Sequence, residues 1–224
     1  MYTITEKNTP NQYDLWGDIE AIVLHTTLGA YAGAVEWLMM SPEERKRRTG
    51  VASYSSAHAV FGRVASEITQ LAPFDKGTWH AGAVSNPSPR ALAVLPKNTD
   101  GTLKNPNRYT LGLEFASGYD IDRDGILESW EKLYTPDQVK MCAWFILNKI
   151  EPATGKRFGG HNILTHKDIT SYKTDLEVQR AMVVAELEKQ RNAQTQPPAP
   201  VEPKNVIISI EEGGQTRRFT CQPI

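Results

Sequence analysis

The sequence predicts a mixed α/β fold: a central mixed β-sheet flanked by helices, with a short C-terminal hairpin. Three observations predict it. Short apolar runs bounded by turn residues read as strands. Long amphipathic segments read as helices. Hairpin-like and crossover connections occur together, which puts antiparallel and parallel pairs in one sheet.

Glu20-Ala-Ile-Val-Leu-His25 is an apolar run that reads as a central strand delivering a histidine at its C-terminal end. Gly29 to Met40 reads as a helix, with Val35, Leu38 and Met39 on one face. Glu43 to Arg48 is a charged run, expected to be a solvated helix or loop. Ser55 to Phe61 and Ser66 to Leu71 read as antiparallel strands turned by Gly62-Arg63. Arg90 to Arg108 is a long, turn-rich insert before the strand Tyr109-Thr-Leu-Gly-Leu-Glu-Phe115. Pro136 to Ile150 is a strong helix, capped by Thr135 and with Asp137 in its first turn. Leu176 to Arg191 is a second long helix.

Gln194 to Pro203 is a Pro-rich, semi-rigid linker. Beyond it, Val206-Ile-Ile-Ser-Ile210 and Arg217-Arg-Phe-Thr-Cys221 flank Gly213-Gly214 and read as a hairpin. So short a tail needs a partner surface, on the main domain, a second copy or another molecule. It therefore offers a route to oligomers. The expected organisation is a domain over 1–190, a linker over 191–204 and a hairpin over 205–224.

Lys and Arg number 25 and Asp and Glu 26, a net charge of −1, which argues against a nucleic-acid partner. The two cysteines make neither a disulfide framework nor a Cys-rich metal site, and Cys142 lies in an apolar run that reads as core. No stretch approaches the roughly 20 apolar residues that span a bilayer, so membrane insertion is not expected. The N-terminus has no basic segment followed by an apolar one, so synthesis in the cytoplasm without a signal peptide is expected.

His25, His166 and Asp175 form the first chemical constellation. Two imidazoles and one carboxylate suit zinc, with a fourth position open to water. His161, in Gly-Gly-His-Asn162, is the rival to His166; His166 is preferred for its His-Lys-Asp-Ile169 context and its short spacing to Lys173-Thr-Asp175. Asp168 is expected to order that loop, and His58 to pack or hydrogen-bond in its strand.

Five segments surround these residues in order: strand-His25-Thr-Thr27, Ser56-Ala-His-Ala-Val-Phe-Gly62, Thr78-Trp-His-Ala-Gly82, Leu111-Gly-Leu-Glu-Phe115, and Thr165-His-Lys-Asp-Ile169 with Lys173-Thr-Asp175. The chain over about residues 18 to 190 resembles the type 2 N-acetylmuramoyl-L-alanine amidases, a group that includes phage endolysins and shares its fold with peptidoglycan recognition proteins. The resemblance implies zinc ligands at His25, His166 and Asp175. It implies a general base at Glu114 and an oxyanion-stabilising group at Lys173. It implies substrate contacts at Trp79, His80 and Thr26. Leu176-Glu177 follow Asp175 where the family often has Pro-Gly. The chemistry agrees: amide hydrolysis needs a nucleophilic water, a proton acceptor and a positive charge near the developing oxyanion.

A second metal loop is expected over Asp120 to Glu131. It fits an EF-hand calcium loop position by position, with Gly125 at the sharp turn and Leu127 at the apolar position. The expected calcium ligands are Asp120, Asp122, Asp124, the Ile126 carbonyl, Glu128 (directly or through water) and Glu131. A strand, not a helix, precedes the loop, which points to a structural role.

The expected function is therefore zinc-dependent cleavage of the amide between N-acetylmuramic acid and L-alanine. A phage or prophage endolysin acting on the cell wall after release is preferred. The alternatives are a cytoplasmic enzyme recycling muropeptides, a peptidoglycan-binding module that does not cut, and a regulatory protein of the same fold.

Overall fold

The apolar runs pair as their alternation requires. The structure, a computed structural model, describes residues 2–15, 17–27, 29–117, 134–173, 177–195, 206–212 and 215–221. By contacts the chain divides into one unit over residues 1–191 and another over 192–224.

The first unit is built on a six-stranded sheet in the order β1-β5-β4-β7-β3-β8. Its strands are β1 (Thr5–Glu6), β3 (Ala21–Thr27), β4 (Ala59–Phe61), β5 (Ile68–Gln70), β7 (Thr110–Ala116) and β8 (Ile163–Thr165). Strands β4, β7, β3 and β8 are mutually parallel, while β5 runs antiparallel to β4 and carries β1 beside it. The sheet is thus mixed, as the two kinds of connection require. A separate pair, β2 (Gln12–Asp14) with β6 (Lys76–Thr78), is antiparallel.

Alternation sends the residues of each strand to two faces. On one face Ile22, Leu24, Leu111, Leu113 and Phe115 join the largest core cluster, covered by α4 (Pro136–Phe145) and α7 (Glu177–Thr195) through Cys142, Phe145, Val183 and Leu187. The helix α4 starts where Thr135 and Gln138 form a reciprocal capping box, and buried Gln138 also donates to the Phe61 and Ala116 carbonyls. The expected helix to Ile150 is not uniform. It widens into a π-turn over Ile146–Ile150 before α5 (Glu151–Thr154). Pro152 has no N–H for the carbonyl four residues back, and the widened turn accommodates it.

The opposite face carries two smaller clusters. The helix α1 (Tyr31–Met39) covers Val60 and Leu71, while α3 (Pro89–Val94) and α6 (His166–Ile169) cover Val23 and Leu164. The charged run forms α2 (Pro42–Thr49), capped by Ser41 and Gly50. It is not wholly solvated: Arg45 is fully buried and donates to the carbonyls of Trp37, Ser53 and Ser55.

In the second unit β9 (Val206–Glu212) and β10 (Gln215–Cys221) pair antiparallel, with Val206 opposite Cys221. No helix among the described residues is long and apolar enough to cross a membrane.

Candidate active site

The site lies on the face between the two smaller clusters, at the C-terminal ends of the parallel strands. His25 is near the end of β3, with its side chain 3% exposed. The β3–β7 register sets His25 opposite Glu114, so both side chains leave the same face of strands about 4.8 Å apart. Glu114 is half-buried in a strand whose other residues are buried.

His166 follows β8 directly and opens α6. Its position is fixed by Asp168, whose carboxylate accepts the Thr165 N–H at 2.8 Å, completes a capping box and accepts the Ser88 hydroxyl at 2.6 Å. His166 Nδ1 lies 3.1 Å from His25 Nδ1. Its Nε2 lies 2.9 Å from the Ala81 carbonyl, to which it donates. Gly82 takes a left-handed φ of +63° just after that carbonyl, a backbone that side-chain-bearing residues rarely adopt. His161, the rival, is exposed in a turn, so His166 is the histidine that meets His25.

His80 approaches from the other side. Its Nδ1 is 3.0 Å from His25 Nε2, and its Nε2 is 3.1 Å from the Thr110 hydroxyl. Gly112 of the Leu-Gly-Leu-Glu strand makes room for it, since a Cβ there would sit 2.4 Å from His80 Cγ. His58 is structural: its Nε2 donates to the Lys76 carbonyl at 2.8 Å and its Nδ1 accepts from the Gly112 N–H at 3.0 Å.

All four imidazoles are held neutral. Burial drives His25 and His80 well below the usual imidazole range, helped at His25 by His166, His80 and Lys173. Burial, then the Lys173 charge, pushes His166 down to about 4. Burial alone pushes His58 to about 4. Lys173 follows the turn in which its N–H donates to the Thr170 carbonyl at 3.0 Å, and its charge reaches both His25 and His166.

A family model described as N-acetylmuramoyl-L-alanine amidase matches residues 15–177. The chain belongs to that family. No curated protein sequence matches it significantly. Two solved structures resemble the fold. A selenomethionine form of AmpD has a TM-score of 0.50 at 19% identity, over 81% of this chain and 94% of that one. A point mutant of PlyL has a TM-score of 0.51 at 13% identity, over 83% of this chain and 98% of that one.

Within this amidase the sequence-predicted residues divide. His25, Glu114, His166 and Lys173 come together from three segments: β3, β7, and α6 with the turn after it. Asp175 and the expected calcium ligands Asp120, Asp122, Asp124, Ile126, Glu128 and Glu131 lie outside the described residues. Among the described residues no three His, Cys, Asp or Glu side chains converge on one point; His25, His80 and His166 form a chain instead.

The three expected substrate contacts have the following protein partners. Thr26 faces the opposite side of the sheet from His25, 2.9 Å from the Tyr134 hydroxyl, because neighbours in a strand alternate. His80 is 7% exposed and engaged at both ring nitrogens. Trp79 packs 4.7 Å from the Tyr13 ring, with the Arg108 guanidinium 5.8 Å from its own ring. The supporting roles of Thr110, Gly112, Gly82 and the Ala81 carbonyl were not anticipated. The glycines in Trp-His-Ala-Gly and Leu-Gly-Leu-Glu were the available signal.

Proposed function

We propose that this amidase cleaves the bond between the lactyl group of N-acetylmuramic acid and L-alanine with a zinc ion held by His25, His166 and Asp175. The observation that carries the reading is the pair of neutral imidazoles, His25 buried and His166 half-buried, with Nδ1 atoms 3.1 Å apart. The donor set fits. Zinc takes neutral imidazole nitrogens at about 2.0–2.1 Å, and two of them at a tetrahedral angle stand about 3.3 Å apart. The His166 Nε2–H on a backbone carbonyl is the kind of outer bond that orients a ligand ring. Asp175, nine positions after His166, would bring the negative charge.

When bound, zinc supplies a Lewis acid that polarises the amide carbonyl and acidifies water. Glu114, on the face and at the level of His25, takes the proton from the attacking water as its oxygen bonds to the carbonyl carbon. Lys173 sets its positive charge against the developing oxyanion. Glu114 then returns the proton to the nitrogen as the C–N bond breaks, and the peptide leaves with a free L-alanine amine.

The Pro-rich linker and the hairpin unit favour a polymeric wall over soluble muropeptides, and so an endolysin of phage or prophage origin. Digestion of purified peptidoglycan by the zinc-loaded protein, with His25→Ala as control, tests the reading. Intact glycan strands and free peptides beginning in L-alanine are expected. Released disaccharides would overturn it, and binding without release would favour a recognition module.

The carboxylate spacing over Asp120 to Glu131 supports, from the sequence alone, a separate calcium site. Titration calorimetry should then give heat on adding calcium to chelator-treated protein and a higher melting temperature. Silence in both removes the calcium.

A further inference from the structure

The hydrogen bonds around His80 carry an assignment of protons, which starts at an atom that cannot donate. The Pro106 carbonyl lies 2.8 Å from the Thr110 hydroxyl. A hydroxyl has one proton, and this one is spent on that carbonyl. The oxygen that Thr110 turns to His80 Nε2, at 3.1 Å, is therefore an acceptor. The Thr110 carbonyl, 3.4 Å from the same nitrogen, can only accept as well. His80 Nε2 thus bears the proton, and in a neutral ring Nδ1 is then a bare lone pair. That lone pair faces His25 Nε2 at 3.0 Å, so His25 carries its proton on Nε2. His25 Nδ1 is left unprotonated.

On the far side the same logic runs from the Ala81 carbonyl. It takes the proton of His166 Nε2 at 2.9 Å and leaves His166 Nδ1 bare. The unprotonated Nδ1 atoms of the two rings then lie 3.1 Å apart, the two nitrogens that a shared zinc ion would take. We infer that His80 is a positioning residue, which fixes the tautomer of His25 so that Nδ1, not Nε2, is offered to the metal.

The location of His80 supports the role. Its backbone N–H and that of Ala81 both donate to Asn107 Oδ1, at 2.9 and 2.7 Å. Gly112 clears the space for its ring. One stretch, through Asn107, Thr110 and Gly112, thus holds a side chain that is almost fully buried, at the back of the His25 ring. The inference rests on the zinc reading for its purpose, but the proton assignment holds for the metal-free protein.

Two variants of the full chain test it. Asn in place of His80 puts an amide oxygen near the Nδ1 position and can accept the same hydrogen bond; Leu cannot. Competition against a chromogenic chelator should show zinc binding weakened about 10–100-fold by His80→Leu and restored to within about threefold of the parent by His80→Asn. Long-range proton–nitrogen NMR of the metal-free proteins should report the Nε2–H form of His25 in the parent and in His80→Asn. It should report a mixture in His80→Leu. Should His80→Leu not fold, Thr110→Val removes the hydroxyl that accepts from His80 Nε2, along with its bond to the Pro106 carbonyl, and a shifted His80 tautomer is then expected. Parent-like zinc affinity and an unchanged His25 tautomer in the folded variant overturn the inference. A parent that binds no zinc yet shows the Nε2–H form, lost in His80→Leu, sinks the zinc reading alone and keeps the positioning role.

Discussion

As the proposed proton acceptor, Glu114 is the residue whose replacement is expected to separate chemistry from metal binding. Glu114→Gln keeps the size of the group and removes the proton acceptor. A fall in kcat of about 10²–10⁴-fold is expected, with bound zinc unchanged by atomic absorption. A fall of zinc content in step with activity would instead make Glu114 a ligand. His58 is a separate residue-scale case, because its burial holds its folded-state value at about 4 against about 6.5 unfolded. Between those values the unfolded chain binds the extra proton, so stability rises with pH across that window. The contribution is complete above about pH 6.5 and is lost as pH falls towards 4. It is on the order of 3 kcal/mol. Urea denaturation at pH 7 and pH 4.5 should show a smaller loss for His58→Gln than for the parent; an equal loss would dismiss the assignment. At this scale the sequence was legible where a motif names a residue type, as at His25 and His166. It was silent where a side chain's direction decides. Thr26 is one position out of phase with the reactive face, and His80 faces protein at both ring nitrogens.

Elements position those residues through close approach. The strand β7 can pass the His80 ring only because position 112 has no side chain. Gly112→Ala is expected to destabilise the fold by about 1–3 kcal/mol through overpacking. It should also shift the His80 ring resonances, and a variant with parent stability and an unmoved ring would refute this reading of the glycine. The longer strands were legible because seven residues, as in β3 and β7, suffice for an apolar pattern to speak. The short strands β1, β2 and β6 were not, because Thr-Glu, Gln-Tyr-Asp and Lys-Gly-Thr lack the apolar run that marks the equally short β4 and β5. Arg45 escaped notice for a different reason. Its charged neighbours advertise a solvated helix, whereas its own guanidinium is spent on three backbone carbonyls that only the folded chain brings together.

For the whole molecule, the family match ends at residue 177 and the contact division falls after residue 191. A chain ended after Thr195 is therefore expected to unfold cooperatively, with a melting temperature within a few degrees of the parent. It should still release peptides from soluble muropeptides while clearing intact sacculi more slowly. Equal clearing rates would show that the hairpin unit does not serve the polymer. The mixed sheet was readable from its connections; the strand order was not, since it is set by which apolar faces fit rather than by any one segment. The parallel set β4-β7-β3-β8 has one further effect. Strands that run the same way finish along one rim, so segments far apart in the gene meet there while the interior is made elsewhere. Variation along that rim therefore changes what the site meets while the core beneath is kept, and the rim is where a designer should graft loops to redirect the enzyme to a different stem peptide, sparing α6, which carries His166 and buries Ile169.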